Sequence, residues 1–167
     1  MAKRLREEDT PFDAPPLWIS DYVAHNFPGV DIVTSPLYLT HPWAEWSFLF
    51  PPMSQAHLYI AKAVKELQKG HNSILLVPAT FNSSYFRELV APNAAEIRIL
   101  TCPLRLDAKK TKTVHQMCFI VFAPKFEGDE EAGLPAVTEP FIAMLEIDGW
   151  KDQYYKRQRN RERFGEN

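Results

Sequence analysis

Apolar residues recur along this chain with two different periods, and the switches between them mark its elements. From Met53 onward, Ala56, Ile60, Val64 and Leu67 follow at three- and four-residue spacing, with Lys62, Lys65, Glu66 and Lys69 between them. That pattern predicts an amphipathic helix over 54–69 whose charged side faces water. Ser54 is its expected N-cap and Gly70 its left-handed C-cap. Ahead of it, Phe48–Phe50 is a short apolar run with aromatic bias, closed by Pro51 and Pro52, which together remove two backbone donors. Behind it, Ser73–Val77 is apolar almost throughout, as a strand covered on both faces is. The unit is therefore β-α-β, with a Pro-Pro turn at the carboxyl end of its first strand. Open α/β sheets bind their ligands at that end.

The flanking sequence extends the same architecture. Residues 1–13, charged and then proline-bearing, predict an extended arm. Leu17–Asn26 is helix-compatible and ends at Pro28-Gly29, and Val30–Thr34 is a β-branched strand. The run Thr80–Ser84 offers caps for a helix reaching about Val90, with Phe81, Tyr85, Phe86 and Leu89 apolar. Glu96–Cys102 alternates as a strand, and 107–113 is a polar, lysine-rich loop. His115–Ala123 is apolar on both faces and belongs inside the sheet. These elements define one α/β domain over 14–125, with a doubly wound, Rossmann-like sheet. A C-terminal extension over 126–167 holds an acidic loop at Glu127–Glu131, an apolar docking segment at Pro140–Ile147 and a basic tail at 151–163.

Composition narrows the function classes. The 167 residues suffice for a single packed core, and a hydrophobic content of 46% excludes disorder throughout. A net charge of -2 gives no global attraction to nucleic acid, so any phosphate contact must be local. Two basic stretches qualify. One is the tail, with Lys156, Arg157 and Arg159 beside Tyr154 and Tyr155; the other is the loop with Lys109, Lys110 and Lys112. DNA or an acidic protein would be the partner; a solvated helix and a solvated hairpin are the plainer alternatives. Cys102 and Cys118 make no disulfide framework, and Cys118 lies in an apolar run as a buried thiol would. The five histidines show no metal-ligand spacing, so no metal site is expected. With no apolar h-region at the N-terminus and no apolar run of ~18 residues, an intracellular, cytoplasmic protein that is neither secreted nor membrane-spanning is expected. Lys3-Arg4-Leu5-Arg6 would suit a short nuclear signal. No Gly-rich nucleotide loop, HExxH, CxxC pair or GxSxG is present.

The order of motifs resembles the small phage-type (Dam-like) DNA N6-adenine methyltransferases. The stretches that carry the resemblance are Ala14-Pro15-Pro16-Leu17-Trp18-Ile19, Val30-Asp31-Ile32-Val33-Thr34-Ser35 and Phe50-Pro51-Pro52-Met53. Leu75-Leu76-Val77-Pro78-Ala79, Ser84–Val90, Glu96–Leu106 and Met117–Pro124 follow, so it spans about 14–124. In that family an Asn-Pro-Pro-Tyr tetrad follows the strand. Its first residue accepts a hydrogen bond from the target amine, and its aromatic stacks on the flipped base. The resemblance implies a class I methyltransferase sheet, an S-adenosylmethionine site with Asp31 holding cofactor hydroxyls and Pro15-Pro16 beside it, and a phage or viral context. The tetrad here is Phe50, Pro51, Pro52 and Met53. Phe50 has no lone pair to offer the amine, and Met53 stacks less well than an aromatic. The resemblance thus implies a catalytically inactive binding or structural module that needs no cofactor. A second alignment places the tetrad at Ser35-Pro36-Leu37-Tyr38, which keeps the acceptor (Ser35) and the ring (Tyr38). It implies an active, S-adenosylmethionine-dependent amino methyltransferase. A protein-binding scaffold without any ligand is the third alternative.

Overall fold

The computed structural model describes residues 15–33, 39–101, 104–105 and 114–165. Its frame is a six-stranded mixed sheet in the order β1-β2-β3-β7-β4-β8. Those strands are Asp31–Val33 (β1), Trp46–Leu49 (β2), Asn72–Pro78 (β3), Glu96–Leu100 (β4), Met117–Phe122 (β7) and Phe141–Leu145 (β8). Leu104–Arg105 (β5) and Val114–His115 (β6) form a separate two-stranded ribbon. β1, β2 and β3 run parallel, β7 lies antiparallel between β3 and β4, and β8 runs parallel to β4. The carboxyl ends of β1, β2, β3, β4 and β8 therefore share one edge of the sheet.

Both faces are covered, as the apolar central strands demand. Every residue of β7 is buried, with Cys118, Ile120 and Phe122 on one face and Met117, Phe119 and Val121 on the other. Over the first face pack Ala56–Leu67 (α2) and a π-helical turn, Phe86–Val90, that runs into one α-helical turn, Ala91–Asn93 (α3). Over the second pack Leu17–Asn26 (α1) and the start of Asp148–Phe164 (α4). α1 has the bounds its pattern predicts. The interior placement of β7 and the βαβ unit around α2 also match the periodicity.

Three expectations need correction. The helix after the Pro-Pro turn is not capped by Ser54. Met53–Gln55 forms a 3-10 turn in which the Pro52 carbonyl accepts the Gln55 N–H at 2.9 Å, and α2 starts at Ala56. Glu66 is not on the wet side of α2: its side chain is 2% exposed, in line with Tyr59 and Ala63, while Met53 is 40% exposed. The segment after 126 is no appendage either. β8 completes the sheet along β4, and α4 returns to α1. The C-cap is as expected, with Gly70 at φ +88° and the His71 N–H reaching back to the Glu66 carbonyl at 3.0 Å.

Candidate functional site

The first candidate is the carboxyl edge of the sheet, where β2 runs into the Pro-Pro turn. Phe50 is 7% exposed and packs with Trp18, Ile19, Tyr22 and Val23 of α1 and with Leu76 and Phe119 of the sheet. Pro51 is buried, Pro52 half-buried and Met53 exposed. The turn is thus retained in shape. Its first side chain points into the core, and its last lies at the surface without an aromatic face to offer. Pro15 is buried, and the Pro16 carbonyl accepts the N–H groups of Ile19 (2.8 Å) and Ser20 (3.2 Å), so this pair starts α1. Asp31 stands elsewhere. It is exposed at the amino end of β1, in register with Ser47, which places it toward the opposite edge of the sheet from Phe50 and Pro51. Ser35, Tyr38, Lys109, Lys110 and Lys112 lie outside the described residues.

The second candidate is α4. Trp150, Tyr154 and Gln158 form its half-buried stripe, and its other side chains are exposed. Trp150 meets the Tyr22 ring edge-on at 5.7 Å between centroids and donates its indole N–H to Asp21 Oδ2 at 2.9 Å. Arg157 donates to the same oxygen at 2.7 Å and lies over the Trp150 ring. Arg157 is therefore held by the fold, whereas Lys156 and Arg159 are exposed. With Arg163 they follow helical spacing that puts all three on one side of α4, with Asn160 and the acid Glu162 beside them. No ion pair holds these three among the described residues, so three cations face solvent with one acid, Glu162, among them.

A third cluster, which the sequence pattern hid, surrounds Glu66. His71 Nδ1 lies 2.7 Å from its carboxylate, Lys69 Nζ 3.0 Å and Lys62 Nζ 3.9 Å. Burial raises the Glu66 pKa, but the hydrogen bonds from His71 and Lys69 and the charges of Lys69 and Lys62 outweigh it and hold the carboxyl below its usual value. Lys62 also donates to the carbonyls of Leu39 (3.2 Å) and His41 and sits 5.6 Å from the Trp43 ring centroid. Burial pushes its amine below the usual lysine value. The cluster clamps the 39–45 segment to α2 and leaves no acid free to act on a substrate. Its signal in the sequence is one acid among the three lysines of 54–69, Lys62, Lys65 and Lys69, with a histidine just past Gly70. Asp21 had no local signal, since its partners are far along the chain.

Among the described residues, no group of three or more His, Cys, Asp or Glu side chains could hold a metal ion. None of the helices there is long and apolar enough to cross a membrane. The Cys118 thiol is fully buried, and burial pushes its pKa up to about 12, so it is no nucleophile in the folded chain. Comparison with family models, curated proteins and solved structures returns no match.

Proposed function

We propose that this chain is a non-catalytic, nucleic-acid-binding module on a methyltransferase-like α/β scaffold, resembling the phage-type DNA N6-adenine methyltransferases without their amine chemistry. The burial of Phe50 carries this reading. An acceptor for the target amine must sit at the first tetrad position, and here that position is an aromatic ring inside the core. The order of elements supports the scaffold half of the reading. An opening helix, a strand with an acid, a strand into Pro-Pro, a helix, a strand ending Val-Pro-Ala, a short aromatic helix and two closing strands follow one another as in that family. The binding half rests on Lys156, Arg159 and Arg163, a cationic row on one side of α4 that suits successive phosphates.

Two measurements test it. A fluorescent DNA duplex titrated with the full chain at several salt concentrations is expected to bind with a log–log salt slope of about -2.7, as three phosphate contacts give. Charge reversal of Lys156, Arg159 and Arg163 together should abolish that binding while the fold is retained. Incubation of the chain and DNA with methyl-labelled S-adenosylmethionine should transfer no label. Label transfer that Ser35→Ala or Phe50→Ala removes would establish the active-enzyme alternative instead. Absence of any DNA binding would leave the protein-binding scaffold.

A further inference from the structure

α4 has two opposite sides. At about 100° of turn per residue, Trp150, Tyr154 and Gln158 fall on one arc of the helix, and they are its half-buried residues. Trp150 and Arg157 tie that side to Asp21 of α1, and Trp150 meets the Tyr22 and His25 rings there. The arc centred roughly opposite holds Lys156, Arg159, Asn160 and Arg163, all of them exposed. Every side chain of 159–164 is exposed, beyond the last of the anchoring residues, and Gly165 at φ +65° ends the helix. The end of α4 thus projects from the domain with its outer arc open to a partner.

We propose that this projecting face enters the major groove of duplex DNA and reads base edges there, with Asn160 on an adenine. Base reading presupposes the nucleic-acid binding proposed above and names its target. An α-helix with its side chains is about 10–12 Å across, and the B-form major groove is about 12 Å wide. The residue types on the arc are those that the groove selects. Lys156 is a point charge suited to phosphate, and Arg159 and Arg163 fork as well onto guanine O6 and N7 as onto phosphate. Asn160 is the deciding residue. It stands one turn after Lys156 and three residues before Arg163, among the cations. Being neutral, it adds little to phosphate attraction, yet its carboxamide donates to N7 and accepts from N6 of the same adenine. Glu162, beside the arc, repels phosphate but accepts from cytosine N4. A surface that held DNA by charge alone would gain nothing from either side chain. Asp152, exposed on the same arc one turn before Lys156, sets the N-terminal limit of the contact.

The test equilibrates the full chain with a pool of DNA duplexes carrying about 10 random base pairs, one helical turn, and sequences the bound fraction. A short sequence containing an adenine should be enriched, and at equal salt it should bind more tightly than a shuffled duplex of the same composition. Asn160→Ala changes no charge and places a strong helix former, so the circular-dichroism spectrum and the salt slope should stay as in the parent. The variant should lose about 5- to 150-fold of the preference, the worth of one bidentate base contact, and accept all four bases at the adenine position. Lys156→Ala should instead weaken the enriched and shuffled duplexes alike and make the salt slope shallower by about 0.9. Duplex RNA of the enriched sequence should bind no better than shuffled RNA, because side chains do not reach into the deep, narrow A-form major groove. Salt-dependent binding without sequence preference would overturn base reading and leave the binding module standing. So would a preference that survives Asn160→Ala or that duplex RNA shares. Absence of DNA binding would overturn both.

Discussion

The Trp150 indole donates to Asp21 Oδ2 at 2.9 Å, a bond that spans 129 residues of chain and fixes the start of α4 against α1. Arg157, two turns on, reaches the same oxygen at 2.7 Å. Both side chains of the Arg157–Asp21 pair are more than a third exposed, so the ion pair by itself is worth at most about 0.5 kcal/mol. The ring carries more, since it also packs on Tyr22 and His25. Trp150→Ala should cost about 2–3 kcal/mol in urea unfolding. Asp21→Asn should cost less than 1 kcal/mol yet speed amide exchange through 150–158. Unchanged exchange in Asp21→Asn would show that the carboxylate does not hold the helix.

Phe50→Ala removes a ring packed between α1 and the sheet, and should destabilise the chain by about 3–4 kcal/mol. Phe50→Asn, which restores an acceptor at the first tetrad position, should cost at least as much. It replaces the same ring by an amide that has no partner in an apolar setting. Thermal melts of the two variants check this. An Asn variant as stable as the parent would mean that position 50 can open to the surface, and that the site tolerates the chemistry its present side chain lacks.

Much of the frame could be inferred from periodicity, because apolar spacing reports burial directly. α1, β3 and β7 are cases where burial and pattern coincide. Failures occurred where burial and polarity part company. Glu66 counts as polar in any periodic analysis, which places it in solvent; that its carboxylate is buried while Lys62, Lys69 and His71, all within five residues, converge on it is not a property of spacing. Ser54 lost its role as cap because the two prolines direct the chain through a 3-10 turn first. The apolar segment 140–147 predicts docking without saying how, since a strand that pairs along one edge, buries part of Leu145 and leaves Phe141, Ile142 and Met144 exposed has no period of its own. At the candidate site, residue types were informative about Phe50 and Met53 but silent on direction. That Asp31 lies at the amino end of its strand follows only from its register with Ser47.

Ser47 and Ser73 are register partners on β2 and β3, both fully buried, and neither hydroxyl has a hydrogen-bond partner among the described residues. An unpaired buried hydroxyl costs free energy that alanine does not. Ser47→Ala with Ser73→Ala should therefore leave stability unchanged or raise it by up to about 1 kcal/mol in urea unfolding. A loss of more than 1 kcal/mol would show that a water bridges the two hydroxyls and is part of the fold.

Glu66 gives the chain a distinct response to acid. Its carboxyl is held below the usual value in the folded state, so the folded chain favours the ionised form more than the unfolded chain does. The stability this contributes is fully present above the unfolded value of about 4.5 and drains away as pH falls from there through the folded value. Glu66→Gln keeps the shape and an acceptor oxygen but removes the charge that Lys62 and Lys69 compensate and that the His71 hydrogen bond favours. At pH 7 it should cost about 2 kcal/mol, as loss of charge-assisted hydrogen bonds does. The gap between parent and variant should then narrow as pH falls below 4.5, because the parent carboxyl becomes neutral as well. Taking the difference cancels every other acid in the chain, so the narrowing reports on Glu66 alone. A gap that stays constant from pH 7 to pH 3 would mean that the carboxylate gains nothing from Lys62, Lys69 and His71. The clamp of the 39–45 segment on α2 would then rest on Lys62 and the Trp43 ring alone.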